Sequence, residues 1–112
     1  MRLMIVDDDK NVRQATQLVF EDTEYEVLPC ANAEHARVAA QRKMFDIALV
    51  DLSLGEESGL DLIPELLEAS PWMKIIVGTA DGRIDTAVAA VRKGAREYLR
   101  KPLDAEDLRL SV

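Results

Sequence analysis

Five short apolar runs are separated by stretches with helical spacing, and this alternation restricts the chain to a sheet whose strands are joined by helical crossovers. The runs lie at residues 3–7, 25–29, 46–51, 73–78 and 96–99. Strands joined through helices run parallel, and right-handed crossovers cover both faces of the sheet, so the pattern predicts an α/β three-layer sandwich. The continuous apolar runs at 47–50 and 75–77 suit central strands buried on both sides. The run at 25–29 carries Glu26 and ends in Pro29, which suits an edge.

The intervening spacing predicts a first helix over residues 10–21, with Val12, Ala15 and Val19 inward. A second follows Asn32 as N-cap and places Ala33, Ala36, Ala39 and Ala40 on one face. The third is expected from Ser58 to Ala69 with Leu60, Ile63, Leu66 and Leu67 inward, its regular part delayed to Asp61 by Pro64. The fourth, over residues 83–93, presents Ile84, Ala87, Val88 and Val91 and stops at Gly94. The fifth opens on Asp104 and runs to Val112 with Leu108 and Leu110 still apolar, so it reads as truncated. The expectation is one domain over 1–112, excised from a longer chain.

Charge narrows the partners. Fourteen basic against twenty-one acidic residues leave a net charge of −7, which argues against a nucleic-acid or anionic-membrane surface and for proteins and cations. Cys30 is alone, so neither a disulfide framework nor a thiolate metal cluster is available, as in a reducing cytoplasm. No apolar stretch approaches the ~20 residues of a membrane span. A cytoplasmic protein is expected. His35 reads as a surface or boundary residue and Trp72 as a packing one.

Chemistry gathers where the strands end. Leu3-Met4-Ile5-Val6 stops at Asp7-Asp8-Asp9, Ile47-Ala48-Leu49-Val50 stops at Asp51, Ile75-Ile76-Val77 runs through Gly78 to Thr79, and Tyr98-Leu99-Arg100 leads to Lys101-Pro102. The carboxyl edge of an open parallel sheet is where ligands bind. Carboxylates brought together there suit a hard cation, a carboxylate can act as nucleophile toward phosphorus, and a hydroxyl and an ammonium can hold phosphoryl oxygens. Taken singly these residues have plainer readings: Asp7-Asp8-Asp9 as an acidic helix cap, Thr79 as a β-favoured residue, Lys101 as a solvated charge, Tyr98 as a half-buried strand aromatic. Their joint occurrence at four strand ends favours the site.

Over essentially its whole length the sequence resembles the receiver domain of bacterial two-component response regulators. The resemblance is carried, in order and spacing, by Ile5-Val6-Asp7-Asp8-Asp9, Leu49-Val50-Asp51-Leu52, Gly59, Thr79-Ala80, Lys93-Gly94-Ala95 and Tyr98-Leu99-Arg100-Lys101-Pro102. It implies a flavodoxin-like (βα)5 fold of strand order 2-1-3-4-5. It further implies that Asp51 takes a phosphoryl group from a phosphohistidine of a sensor histidine kinase. Asp7, Asp8, Asp51 and the backbone carbonyl of Ser53 would hold Mg²⁺ (or Mn²⁺). Thr79 and Ala80 would meet the phosphoryl group, Lys101 would pair with it through a bond to Pro102 that is usually cis in relatives, and Tyr98 would turn inward as the switch moves. Ser53 and Asp81 stand where relatives tune phosphoryl lifetime. A phosphoaccepting regulatory domain is implied, with at most self-catalysed phosphorylation and dephosphorylation. It would act on a downstream effector, expected to bind DNA, and the 83–112 face would form a homodimer.

Departures stand beside the match. Leu54 and Gly55 replace a common methionine and proline, which predicts a more mobile loop before Glu56-Glu57-Ser58, and Gly78 is unusual before Thr79. Two other readings remain. A haloacid-dehalogenase-like phosphatase would use Asp7 and Asp9 as its Asp-x-Asp, although only Asp104, Glu106 and Asp107 follow Lys101 as acidic partners. A receiver-like module that no longer accepts phosphate would lack one of the central residues, and all are present.

Overall fold

The computed structural model describes all residues 1–112. In chain order the elements are β1 (Arg2–Val6), α1 (Lys10–Val19), β2 (Glu26–Cys30), α2 (Ala33–Arg42), β3 (Ile47–Val50), β4 (Ser53–Leu54), β5 (Glu57–Ser58), α3 (Gly59–Ala69), β6 (Lys74–Thr79), α4 (Ile84–Arg92), β7 (Glu97–Arg100) and α5 (Ala105–Ser111). The main sheet is parallel with order β2-β1-β3-β6-β7, which is the expected 2-1-3-4-5 counted over its five strands.

Alternation along the strands divides the core in two. Met4, Val6, Ala48, Val50, Ile75 and Val77 face α2, α3 and α4, where Ala36, Leu62, Ile63, Leu66 and Ala90 close the larger cluster. Leu3, Ile47, Leu49 and Ile76 face the other way, toward Phe20 and Leu108 of the α1 and α5 side. Burying each such aliphatic side chain contributes about 1.5–3 kcal/mol, so the sheet is fixed from both faces.

Several expectations are corrected. Ala15 is exposed and Thr16 is the buried residue of α1, because its hydroxyl donates to the Val12 carbonyl at 2.8 Å and can enter the interior satisfied. The helix itself ends at Val19, since Phe20 leaves helical geometry as its side chain drops into the core. α3 begins at Gly59 under a Ser58 cap and carries Pro64 inside it, so the proline does not delay its start. Leu62 is also buried there. α4 presents Ile84, Val88 and Val91 to solvent, Ile84 at 80% exposure, and small Ala90 is what the helix buries. Trp72 lies exposed in the turn before β6 and does not pack into the core.

The segment after Asp51, expected to be a mobile loop, forms the antiparallel β4–β5 hairpin, with Ser53 opposite Ser58 and Leu54 opposite Glu57. Gly55 turns the chain at φ +65°, a conformation in which glycine has no Cβ penalty. Gly59 then comes so close to the phosphoacceptor candidate's strand end that an added Cβ would lie 2.3 Å from the Asp51 carbonyl oxygen. Gly78 leaves room for Leu103, whose Cδ1 would stand 3.2 Å from a Cβ there.

Candidate functional site

Parallel ladders deliver the site residues to one edge. The Asp7 N–H donates to the Cys30 carbonyl at 3.1 Å, the Asp51 N–H to Val6 at 2.9 Å and the Lys101 N–H to Thr79 at 2.8 Å, each one step beyond a strand. Asp7 and Asp51 therefore end the neighbouring strands β1 and β3, on either side of the point where the strand order reverses. Their side chains are enclosed, with Asp7 at 4%, Asp51 at 7% and Thr79 at 3% exposure, while Asp8 is open to solvent.

Lys101 joins the two buried carboxylates. Its Nζ lies 2.7 Å from Asp7 Oδ2 and 3.0 Å from Asp51 Oδ2. The Asp9 N–H donates to Asp7 Oδ1 at 2.9 Å, and the Ser53 N–H to Asp51 Oδ1 at 3.2 Å. Burial still dominates at Asp51 and raises its pKa above the ordinary carboxylate value against the pull of Lys101 and the Ser53 amide. At Lys101 burial opposes the charge, but the bonds to Asp7 and Asp51 outweigh it and the pKa is raised. The peptide bond from Lys101 to Pro102 is cis.

One carboxylate oxygen each from Asp7, Asp8 and Asp51 lies within 4.8 Å of the others. That spacing suits a single hard divalent cation taking oxygen ligands. Asp9 is not part of it: its carboxylate caps α1, accepting from Asn11 and Val12 N–H groups at 2.8 and 3.4 Å. The Asp-x-Asp required for the phosphatase reading is thereby divided between two tasks.

A second group, only partly foreseen, borders the first. A cleft of about 480 Å³ runs from Asp51, Ser53 and Lys101 past Thr79 and Ala80 to Asp81, Arg83 and Thr86. The Asp81 carboxylate accepts from Arg83 Nη2 at 2.8 Å, the Arg83 N–H at 2.9 Å and the Thr86 hydroxyl at 2.9 Å, and Arg83 first among these holds its pKa well below the usual range. The Asp81 N–H in turn donates to Thr79 Oγ1 at 3.3 Å, and the Tyr98 hydroxyl donates to the Asp81 carbonyl. Asp81 thus links the threonine to the tyrosine. The sequence signal for this group is Asp81 itself, an aspartate just before a helix start, whose carboxylate forms an Asx-turn with the backbone N–H two residues on; the Arg83 side chain carries no such signal.

The model of the response regulator receiver domain matches residues 3–112. The chain belongs to this family. Among curated relatives of the receiver domain, the alginate biosynthesis transcriptional regulatory protein AlgB of Pseudomonas putida is 38% identical over 111 residues, which are 99% of this chain and 25% of that protein. This receiver domain therefore spans about a quarter of the length of the AlgB proteins it matches. A response regulator from Burkholderia pseudomallei, solved with a phosphorylated aspartic acid, a calcium ion and citrate, superposes with TM-score 0.93 at 34% identity, covering 98% of this chain and 65% of that one. The beryllofluoride-activated NtrC4 receiver domain dimer does so with TM-score 0.92 at 29% identity, covering 98% of this chain and 91% of that one.

Proposed function

We propose that this receiver domain is a phosphoacceptor switch in which Asp51 receives a phosphoryl group from a phosphohistidine of a sensor histidine kinase. The observation that carries the reading is the buried Asp51 carboxylate at the end of a central strand, joined to Asp7 through Lys101. An Asp51 oxygen forms the new P–O bond as the P–N bond to the donor imidazole breaks, and the electron pair leaves with the nitrogen. Asp7, Asp8, Asp51 and the Ser53 carbonyl are the groups that would hold Mg²⁺ (or Mn²⁺), as the clustered carboxylate oxygens fit. Bound there, the cation would offset phosphoryl charge.

The residues around the acceptor divide the remaining work. Phosphorylation adds roughly −1.5 to −2 charge, and Lys101, already against Asp51, supplies positive charge in place. Thr79 and Ala80 line the same cleft as the acceptor. As the Thr79 hydroxyl turns to a phosphoryl oxygen it gives up the Asp81 N–H, and the Tyr98 hydroxyl, bonded to the same residue, moves with it. Ser53 and Asp81 are the rate-tuning positions, with the Asp81 carboxylate drawn toward Arg83 and Thr86. The relay reaches the α4–β7–α5 face, where Ile84, Val88, Val91 and Leu110 are exposed, and this face forms the homodimer of the phosphorylated state. Its output is a downstream effector that binds DNA, in line with the transcriptional regulators it resembles.

Acetyl phosphate with magnesium is expected to add one phosphoryl group per chain, removable by hydroxylamine as an acyl phosphate is, and to raise the mass measured by light scattering toward a dimer. A hydroxylamine-resistant adduct would place the group on a hydroxyl side chain and contradict the reading. Magnesium alone, at millimolar concentration, is expected to raise the melting temperature because it binds the folded chain. Asp51 must be ionised to bind it, and its folded pKa is raised, so the charge opposes folding as pH rises and the cation relieves that. The magnesium-induced increase should therefore shrink as pH falls through the raised pKa of Asp51; an increase that stays constant through the carboxylate titration range would remove Asp51 from the cation site.

A further inference from the structure

The β4–β5 hairpin is not sustained by its own length, since two residues per strand are too few for a free-standing ribbon. Its fixings lie outside it. Leu54 is buried in the larger core cluster, and Gly59, immediately after β5, donates its N–H to the Leu52 carbonyl at 2.8 Å. Arg37 of α2 holds Glu57 of β5 at 3.0 Å and hydrogen-bonds Glu65 of α3, with Glu34 at 3.6 Å on its own helix. At the turn, the Gly55 N–H donates to Asp8 Oδ2 at 3.2 Å.

That last bond separates Asp8 from its neighbours. Asp7 is held by Lys101 and the Asp9 amide, and Asp51 by Lys101 and the Ser53 amide, whereas the Asp8 side chain is held by Gly55 alone. Asp8 is also the solvent-exposed member of the three, the one whose rotamer water would otherwise leave free. No atom stands within 4 Å of a Cβ added at Gly55, so glycine serves the backbone at this position and does not make way for a neighbour.

We propose that the β4–β5 hairpin is a positioning element for Asp8, in which the Gly55 amide fixes one carboxylate oxygen and Arg37 braces the returning strand. The inference rests on the reading of Asp7, Asp8 and Asp51 as a cation site. Groups that hydrogen-bond a metal's carboxylate ligands set affinity by roughly 10- to 100-fold when altered. Exposed ion pairs such as Arg37 with Glu57 contribute little to folding, so a loss of affinity at Arg37 reports position and not stability.

The test is calorimetric titration of the metal-free chain with magnesium chloride, for wild type, Gly55→Pro and Arg37→Ala, each alone and combined with Asp8→Asn. Gly55→Pro removes the amide donor and, with its φ held at about −65°, cannot adopt the turn's φ of +65°. It therefore unseats the hairpin from Asp8 and is expected to weaken binding about tenfold or more. Arg37→Ala is expected to weaken it a few-fold with the metal-free melting temperature near wild type, and both ratios should fall to about one once Asp8 is an amide. Absence of magnesium binding by wild type would remove the cation site itself. Binding by wild type with unchanged affinity in the two variants, or losses that persist in the Asp8→Asn background, would overturn the hairpin's role. If Gly55→Pro fails to fold, Arg37→Ala decides alone.

Discussion

Lys101→Met is expected to destabilise the metal-free protein by about 3 kcal/mol at neutral pH, the cost of removing one partner from a buried ion pair. The Lys101 side chain is 18% exposed and lies against Asp7 and Asp51, both nearly enclosed, and methionine keeps most of its aliphatic volume. What disappears is the ammonium. Two carboxylates would then share a buried site, and the folded state would take up a proton more readily than the unfolded chain does. A carboxylate whose folded pKa is raised contributes stability at low pH and loses it as pH rises. The deficit should therefore shrink as pH falls through the raised pKa of Asp51, and thermal melts of both proteins across that window would measure it. A deficit independent of pH would show that Lys101 matters for packing and not for charge.

Asp51→Asn acts with the opposite sign on stability. The Asp51 charge is opposed by burial more than it is favoured by Lys101 and the Ser53 amide, so removing it relieves the metal-free fold. Lys101 keeps Asp7 at 2.7 Å, and an amide oxygen can still accept from Ser53. An increase in melting temperature of a few degrees is expected, on the scale that about 1 kcal/mol gives in a domain of this size. Function is affected far more strongly. An amide oxygen is not a nucleophile toward phosphorus under these conditions, so phosphoryl uptake should fall by about 100-fold or more. A residue that costs stability and is required for uptake behaves as a functional site should.

Much of this was legible in the chain because the decisive signals are local. Val6 before Asp7 and Val50 before Asp51 mark where buried strands stop, and parallel strands bring their ends to one edge whatever the loops do. The N-caps Asn32 and Asp104 were equally plain, and both accept from the amides expected of them. The α4 face is less legible, because the spacing of Ile84, Val88 and Val91 gives a stripe without saying whether it faces a core or a partner. The β4–β5 hairpin has no periodicity to read at two residues per strand, and Gly55 looked like a source of looseness where it supplies a turn. Arg37 reaches Glu57 and Glu65 across three elements, a meeting that only the tertiary fold arranges. Thr16 shows the same limit on a smaller scale, since its burial depends on a back-bond to Val12 that polarity scales do not see.

Intact mass after incubation with acetyl phosphate and magnesium decides whether Asp51 is the phosphoacceptor. Wild type is expected to gain one phosphoryl group and Asp51→Asn, folded and at least as stable, to gain none. The same gain in both proteins would contradict the account, because the phosphoryl group would then reside on another residue.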